Sequence, residues 1–354
     1  MAKNWWKIIL VVLVMGVNTK YTSAEQLYVS GRSAILMDMT TGSVIWEKNA
    51  YQPLPMASTT KIMTAILALE IGDLSDKIKV SAGAAGKDGS SMYLLKDEKL
   101  TLEELLYGIL LSSGNDACVA VAEHYCGTEE KYVALMNKMA AKLGARGTHF
   151  MNTNGLPARG HFSTSYDLAL ITRYALKNPV FREIVAAKHY YVPRTNKREE
   201  RYLYNHNKLL WRYRYADGVK TGYTKESGKC LVASGTKDGH TLIAVVLNSK
   251  DMYQDTARML EYGFKNFVLY KPWRLGKPLA YIEVAKKKKV PLVASREINL
   301  LLPRAWKKEK IKIKLKCPKK TAIPFLALQK KGSVKVFYEG KLLAEAALVA
   351  KYDS

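Results

Sequence analysis

The sequence predicts an α+β domain followed by a small all-β domain. Up to about residue 269, β-rich runs alternate with helical segments, one of them apolar on nearly every face, as a buried helix is. From about residue 274 the pattern changes to short period-two segments punctuated by Gly and Pro. Examples are "KIKIKLK" (310–316) and "SVKVFYEGKLLAEAALVA" (333–350). The length of 354 residues suits one large domain plus a smaller one. The chain accordingly divides into a segment 1–24, a domain 25–269 and a domain 270–354.

The first segment reads as a signal peptide. "MAKNWWK" is basic, and "IILVVLVMGV" is an apolar core too short for a stable membrane span. "TSA" before Glu25 supplies small residues for cleavage after Ala24. No other stretch is apolar for long enough to cross a bilayer. The mature protein is therefore expected to be exported, to the outer face of the cytoplasmic membrane, the cell wall or the medium.

Next, "AILMDMTTGSVIWEKN" (34–49) reads as a hairpin around Thr-Thr-Gly. "KIMTAILALEIG" is the buried helix, with Gly72 as its C-cap. "TLEELLYGILLSSGNDACVAVAEHYCG" (101–127) reads as a helix, a break at Ser-Ser-Gly-Asn and a second helix. "EKYVALMNKMAAKLG" (130–144) and "TSYDLALITRYALKN" (164–178) are further amphipathic helices. "KCLVASGTKDGHTLIAVVLN" (229–248) is a hairpin turning at Lys-Asp-Gly, and "DTARMLEYGFKNF" (255–267) a closing helix.

The formal net charge is +25. Residues 270–354 hold 22 Lys/Arg against 6 Asp/Glu, a net +16. Most such lysines make a solvated face, but this excess exceeds what solubility needs. In an exported chain it points to anionic wall polymers or a membrane surface as weak, salt-sensitive partners, and away from nucleic acid. The four cysteines read as buried, reduced thiols. Cys118 and Cys126, eight residues and about 12 Å apart on one helix, are too distant to bridge. No metal-ligand spacing occurs, and no cofactor is expected.

Three short motifs carry the chemistry. Ser58 and Lys61 stand three apart before the buried helix, where the lysine could take the hydroxyl proton. Ser-x-x-Lys arises by chance about once in a chain of this length, and a serine before a helix is also a favoured N-cap. A second copy, Ser234 and Lys237, lies at a hairpin turn, where the two residues share no helical face. Ser113-Gly114-Asn115 occupies the break between two apolar helices, and Lys220-Thr221-Gly222 the edge of a strand. Each is weak alone. Three in this order, each in a fitting context, are strong.

With "LPMASTTKIMTA", "LLSSGNDA", "NTNGLP", "HFSTSYDLALI", "NHNKLL" and "DGVKTGYT", the chain resembles the low-molecular-mass penicillin-binding D-alanyl-D-alanine carboxypeptidases of the serine β-lactamase-like superfamily. The resemblance runs from about residue 27 to about 350. It implies a transpeptidase-like domain, an antiparallel sheet flanked by helices with a helical lobe, and then a β-sandwich domain. It also implies removal of the terminal D-alanine from peptidoglycan stem pentapeptides, and acylation by β-lactams. Ser58 would be the nucleophile and Lys61 its base, an amine whose ordinary pKa near ~10.4 must fall. Burial and the second cation Lys220 would lower it. Ser113 would bridge the lysines and pass a proton to the leaving amine, and Asn115 would hold the substrate backbone. The N–H groups of Ser58 and Tyr223 would form an oxyanion hole, and Lys220 and Thr221 would meet the terminal carboxylate. Gly222 would let the ligand lie against the strand.

One departure concerns a carboxylate-binding arginine that members of the family can carry after the last long strand. "LNSKDMYQDTARML" has none at that place; Lys250 is near it and Arg258 further on. His161, in a loop before a helix, reads equally as a cleft residue or a solvated loop histidine. The family's closing amphipathic helix is not apparent in "LVAKYDS". Two other readings share the motifs. A class A β-lactamase also needs a Glu-x-x-Leu-Asn loop, and none lies between Asn115 and Lys220. A non-catalytic wall-binding or penicillin-sensing module would not need intact Ser58, Lys61 and Lys220.

Overall fold

The computed structural model describes residues 27–193, 195–197, 199–284, 288–318 and 330–351. The segment 1–24, Lys286 and Lys287 of the basic run, and the last three residues lie outside these.

β1 (Ser33–Asp38) and β2 (Val44–Lys48) form the first hairpin, and a 3₁₀ turn at Ala57–Thr60 leads into α1 (Lys61–Ile71). The helical lobe follows. It comprises β3 (Lys77–Lys79), α2 (Ala82–Ala85), β4 (Lys99–Thr101), α3 (Leu102–Leu110), α4 (Asn115–Cys126), α5 (Glu129–Leu143), α6 (Ser165–Ala175) and α7 (Pro179–Ala186). A hairpin of β5 (His189–Val192) and β6 (Arg201–Tyr204) and the short α8 (Leu209–Arg212) return the chain to the sheet. There β7 (Ala216–Thr224), β8 (Gly228–Lys237) and β9 (His240–Ser249) precede α9 (Met252–Asn266).

The sheet has the order β2-β1-β9-β8-β7, with antiparallel neighbours. Period-two alternation divides its side chains between two layers. Ile35, Met37, Val232 and Val245 face the core shared with α1 and the lobe. Leu36, Leu231, Ala233, Ala244 and Val246 face the core that α9 covers with Met259, Leu260 and Phe264. α1 is buried from Lys61 through Ala68, as its all-round apolar sequence predicts. Gly72 ends it in extended rather than left-handed conformation (φ −122°). Thr101 and Glu104 form a capping box that starts α3. The helix 164–178 stops at Ala175; Asn178 caps α7, with Pro179 at its first position.

β10 (Phe267–Tyr270) opens an all-β unit with β11 (Ala280–Val284), β12 (Lys288–Ala294), β13 (Leu300–Pro303), β14 (Ile311–Lys316), β15 (Lys330–Tyr338) and β16 (Lys341–Ala350). A five-stranded sheet of order β11-β12-β16-β15-β14 and the pair β10-β13 enclose Ile282, Leu292, Leu300, Leu302, Val334, Val336 and Leu348. Arg304 joins this unit to α9. Its guanidinium donates to the Phe264 and Lys265 carbonyls at 2.6 and 3.2 Å, where α9 ends. All four cysteines are free. Cys118 and Cys230 are buried, whereas Cys126 and Cys317 are only half-buried, so the expectation of four core thiols fails for these two. Cys126 ends its helix and Cys317 follows an edge strand, where packing is incomplete. Among the described residues, no helix is long and apolar enough to cross a membrane, and no cluster of His, Cys, Asp and Glu could hold a metal.

Candidate active site

Ser58 is not a helix cap. It lies inside the 3₁₀ turn, and the N-cap position of α1 belongs to Thr60, which makes no side-chain cap bond. In a 3₁₀ turn residues i and i+3 eclipse, which sets Lys61 over Ser58. Lys61 Nζ donates to Ser58 Oγ at 3.0 Å, to Asn115 Oδ1 at 2.7 Å and to the Asn154 carbonyl at 2.6 Å. As an ammonium, Lys61 satisfies all three acceptors. As a neutral amine it keeps two N–H bonds, to Asn115 and Asn154, and turns its lone pair to the serine hydroxyl. The longest of the three contacts is the one to Ser58, where the role reverses.

Two glycines bracket the turn. Gly155 has φ +89°, and a Cβ there would stand 2.0 Å from the Ala57 carbonyl oxygen and 2.8 Å from the Ser58 nitrogen. A Cβ on Gly222 of β7 would stand 3.0 Å from the same nitrogen and 3.0 Å from the Met56 carbonyl oxygen. Only glycines allow β7 and the 152–157 loop to close on the turn together. Among the described residues the Ser58 N–H has no hydrogen-bond acceptor.

Lys61 and Lys220 are both fully buried. Burial lowers Lys61 to about 8. Burial, and then the positive charge of Lys61, lower Lys220 to about 7. Lys220 Nζ donates to the Thr221 carbonyl at 3.2 Å. Thr221 is half-buried beside it, and Tyr223 projects from the edge strand. Repulsion between two buried ammonium groups favours a pair holding one proton in the neutral range.

Ser113 is buried in the α3–α4 break with a left-handed backbone (φ +64°). Among the described residues its hydroxyl bonds neither lysine. Asn115 accepts from Lys61 through Oδ1 and donates through Nδ2 to the Asp88 carbonyl at 2.6 Å. One of its two amide hydrogens therefore remains for a ligand. Arg258 lines a groove with Leu27, Tyr28 and Tyr213 on α9, the opposite side of the sheet. Lys250 follows β9, and its carbonyl accepts from Lys229 Nζ.

Two participants escape a reading by residue type. The Asn154 carbonyl is main chain, so no side-chain signature marks it; the only signal is its place in "NTNGLP". His161 is buried rather than solvated. Its Nδ1 accepts from the Met151 N–H at 2.9 Å, which puts the proton on Nε2, 2.8 Å from Thr60 Oγ1. Thr60 in turn donates to the Ala57 carbonyl at 2.8 Å. Burial lowers His161 to about 4, so the ring stays neutral and braces the turn.

A serine hydroxyl backed by a buried lysine, at the edge of an antiparallel sheet facing a helical lobe, defines a serine acyl-transfer enzyme of the penicillin-binding type. Comparison with known proteins agrees. The profile of the family described as D-alanyl-D-alanine carboxypeptidase matches residues 20–251. That of the penicillin-binding protein 5 C-terminal domain matches residues 267–354. The chain is 35% identical over 339 residues to D-alanyl-D-alanine carboxypeptidase DacF of Bacillus subtilis, covering 93% of this chain and 87% of that protein. It is 34% identical over 348 residues to DacC of Escherichia coli, covering 92% and 85%. Penicillin-binding protein 5 of Haemophilus influenzae superposes with a TM-score of 0.79 at 28% identity, over 92% of this chain and 98% of that one. The chain belongs to the D-alanyl-D-alanine carboxypeptidase family of serine peptidases, the low-molecular-mass penicillin-binding proteins.

Proposed function

We propose that the protein removes the terminal D-alanine from peptidoglycan stem pentapeptides through an acyl-enzyme on Ser58, and that β-lactams acylate the same oxygen. The observation that carries this reading is the 3.0 Å contact between Lys61 Nζ and Ser58 Oγ, with the amine held by Asn115 and Asn154. Ser58 Oγ attacks the carbonyl carbon of the penultimate residue while its proton passes to Lys61. The oxyanion lies toward the N–H groups of Ser58 and Tyr223, a kind of contact whose loss costs ~10²–10³ in turnover. Ser113 relays the proton to the leaving amine after its hydroxyl rotates toward the lysines. The second amide hydrogen of Asn115 orients the stem. The terminal carboxylate lies by Thr221 and Gly222 and draws the shared proton to Lys220, leaving Lys61 neutral. Water then releases the ester. Mass spectrometry after incubation with penicillin and with a D-Ala-D-Ala pentapeptide tests this. An adduct on the Ser58 peptide and a product lighter by one alanine are expected; an adduct elsewhere, or no product, refutes it. Many rapid turnovers of nitrocefin would favour a β-lactamase instead.

A pH profile follows from the paired lysines. Acylation is expected to rise about tenfold per pH unit below pH 7, to peak between pH 7 and 8, and to fall above pH 8, as the pair loses first its extra proton and then the one Lys220 holds. Stability instead rises throughout. Both folded-state values are depressed, so the unfolded chain, with ordinary lysines, binds more protons above about pH 7. The penalty of the buried charges is full below that range and is relieved as pH climbs toward 10.5. Stopped-flow penicillin acylation and thermal melts between pH 6 and 9 read both trends.

We further infer that the chain is exported by cleavage after Ala24, that it works outside the cytoplasmic membrane, and that 25–269 and 270–354 are its two domains, β10 entering the second by pairing with β13. The basic domain holds the enzyme to anionic wall polymers or lipid headgroups. The edge strand β14 supports this, presenting exposed Lys312, Lys314 and Lys316 between the exposed Ile313 and Leu315. Each lysine near an anionic surface is worth about 1 kcal/mol. K312E/K314E/K316E in the whole protein is expected to lower binding to anionic vesicles and purified wall at least about 100-fold at low salt; unchanged binding would refute this role.

A further inference from the structure

A cleft of about 530 Å³ opens beside the Ser58–Lys61 site, and none of its lining residues has a part in the proposed mechanism. The two share a wall. The Asn115 N–H donates to the Ser90 carbonyl at 2.7 Å, and a Cβ on Gly89 would stand 2.6 Å from Asn115 Nδ2. Ser112, which lines the cleft, adjoins Ser113.

Its outer walls are aromatic. Tyr202 and Tyr204, alternate residues of β6, project from one face of the hairpin with 63% and 64% of their surface exposed, while Arg201 and Leu203 turn inward. Tyr93 approaches from the loop before β4, 73% exposed. The pairing of Tyr202 with Tyr191 (ring centroids 5.2 Å apart) has an ordinary cause in cross-strand stabilisation. Tyr204 stands opposite His189, and among the described residues the two rings make no ring contact. Tyr93 has φ +59°, where Gly or Asn would cost less backbone strain, and its ring is mostly in solvent.

The charges of the lining are already engaged. Arg201 pairs with Glu98 at 2.5 Å through Nη2 and with the Met92 carbonyl at 3.0 Å through Nε, while its Nη1 is buried beneath the lining with no partner among the described residues. The Glu200 carboxylate accepts from the Tyr191 hydroxyl at 2.8 Å. Burial, and then the charge of Lys220, lower the pKa of His206. A cleft with aromatic faces, serine and tyrosine hydroxyls and no unpaired cation among its described residues suits an uncharged, polyhydroxylated ligand. It does not suit the carboxylates of a peptide stem, which need a cation.

We propose that this cleft is a saccharide subsite, in which the N-acetylated sugar carrying the stem stacks on Tyr202 and Tyr204 with Tyr93 as the opposing wall. The proposal rests on the reading of the protein as a D-alanine-releasing enzyme acting on peptidoglycan. The four residues between the scissile carbonyl and the sugar span at most about 14 Å. A stem seated at Ser58 thus keeps its sugar within reach of a cleft that shares the Asn115 wall with the site.

The test compares a free pentapeptide with the same pentapeptide on its N-acetylated disaccharide, using the whole protein. Wild type is expected to show a kcat/KM about tenfold higher on the disaccharide form, mainly through KM. Y202S/Y204S, and Y204S alone, which spares the Tyr191–Tyr202 pair, are expected to lose that advantage and keep wild-type rates on the free pentapeptide. Equal rates of wild type on both substrates, or an equal fall on both in the variants, overturns the subsite. Calorimetry with the peptide-free disaccharide needs no turnover: no binding by wild type, or undiminished binding by Y202S/Y204S, also overturns it. Failure of wild type to release D-alanine from either substrate would instead count against the reading of its activity, and calorimetry would still decide the subsite.

Discussion

Lys61→Met is expected to lower D-alanine release and penicillin acylation together by about 10³-fold, within the range that a positioned base contributes. Methionine fills a similar volume in a fully buried position, so the loss would not come from a cavity. It strands the Asn115 Oδ1 and Asn154 carbonyl acceptors, at about 1–3 kcal/mol each, and it removes a buried charge whose desolvation opposes folding. These effects oppose one another, so the variant should remain folded, which circular dichroism checks. Lys61→Arg separates base from brace. Guanidinium keeps the donors and the charge but does not release a proton in the working range. If arginine restored more than about a tenth of the rate, Lys61 would be holding Ser58 in place rather than deprotonating it, and the proton would need another acceptor. The candidate would then be the neutral form of Lys220.

The legible part of this site was the part written in side chains. Ser58, Lys61, Ser113 and Lys220 could be picked out because a nucleophile, a base and a second cation need particular residue types, and because each motif sat at a predictable break in the hydrophobic pattern. The buried α1 was legible for the same reason: apolar residues on all faces leave no side for water. The 3₁₀ form of the Ser58 turn was not, since "ASTTK" suits either helix and the choice is made by β7 and the 152–157 loop pressing on it. Nor was the Asn154 carbonyl, because every residue has one. The hairpin of β5 and β6 was not legible in "HYYVPRTNKREERYLY" either. Its strands are four residues each, and its polar tip conceals the alternation that buries Val192, Arg201 and Leu203. His161 was ambiguous because a histidine in a loop is marked by its neighbours in space, here Thr60 and Met151, and not by those in sequence.

Gly155→Ala is expected to cut both activities by at least about 100-fold without touching a reacting group. Its Cβ would meet main-chain atoms, with 2.3 Å to the Ala57 carbonyl carbon in addition to the oxygen and nitrogen contacts, so no rotamer change relieves the clash. Either the 152–157 loop or the 57–60 turn must shift by the order of 1 Å, and a displacement of that size can cost about 10² in rate. A loop shift would move the Asn154 carbonyl from Lys61; a turn shift would move Ser58 itself. The same substitution also brings a conformational penalty, because φ is +89°, worth about 1–2 kcal/mol for a residue with a Cβ. Gly239→Ala supplies that penalty alone: φ is +75°, and its Cβ would meet nothing within 4 Å. The two variants should therefore lose similar stability from backbone strain, while only Gly155→Ala loses acylation by penicillin. Matched activity in the pair would mean that the turn tolerates the methyl group by moving without consequence, and the glycine bracket would then have no part in aiming the nucleophile.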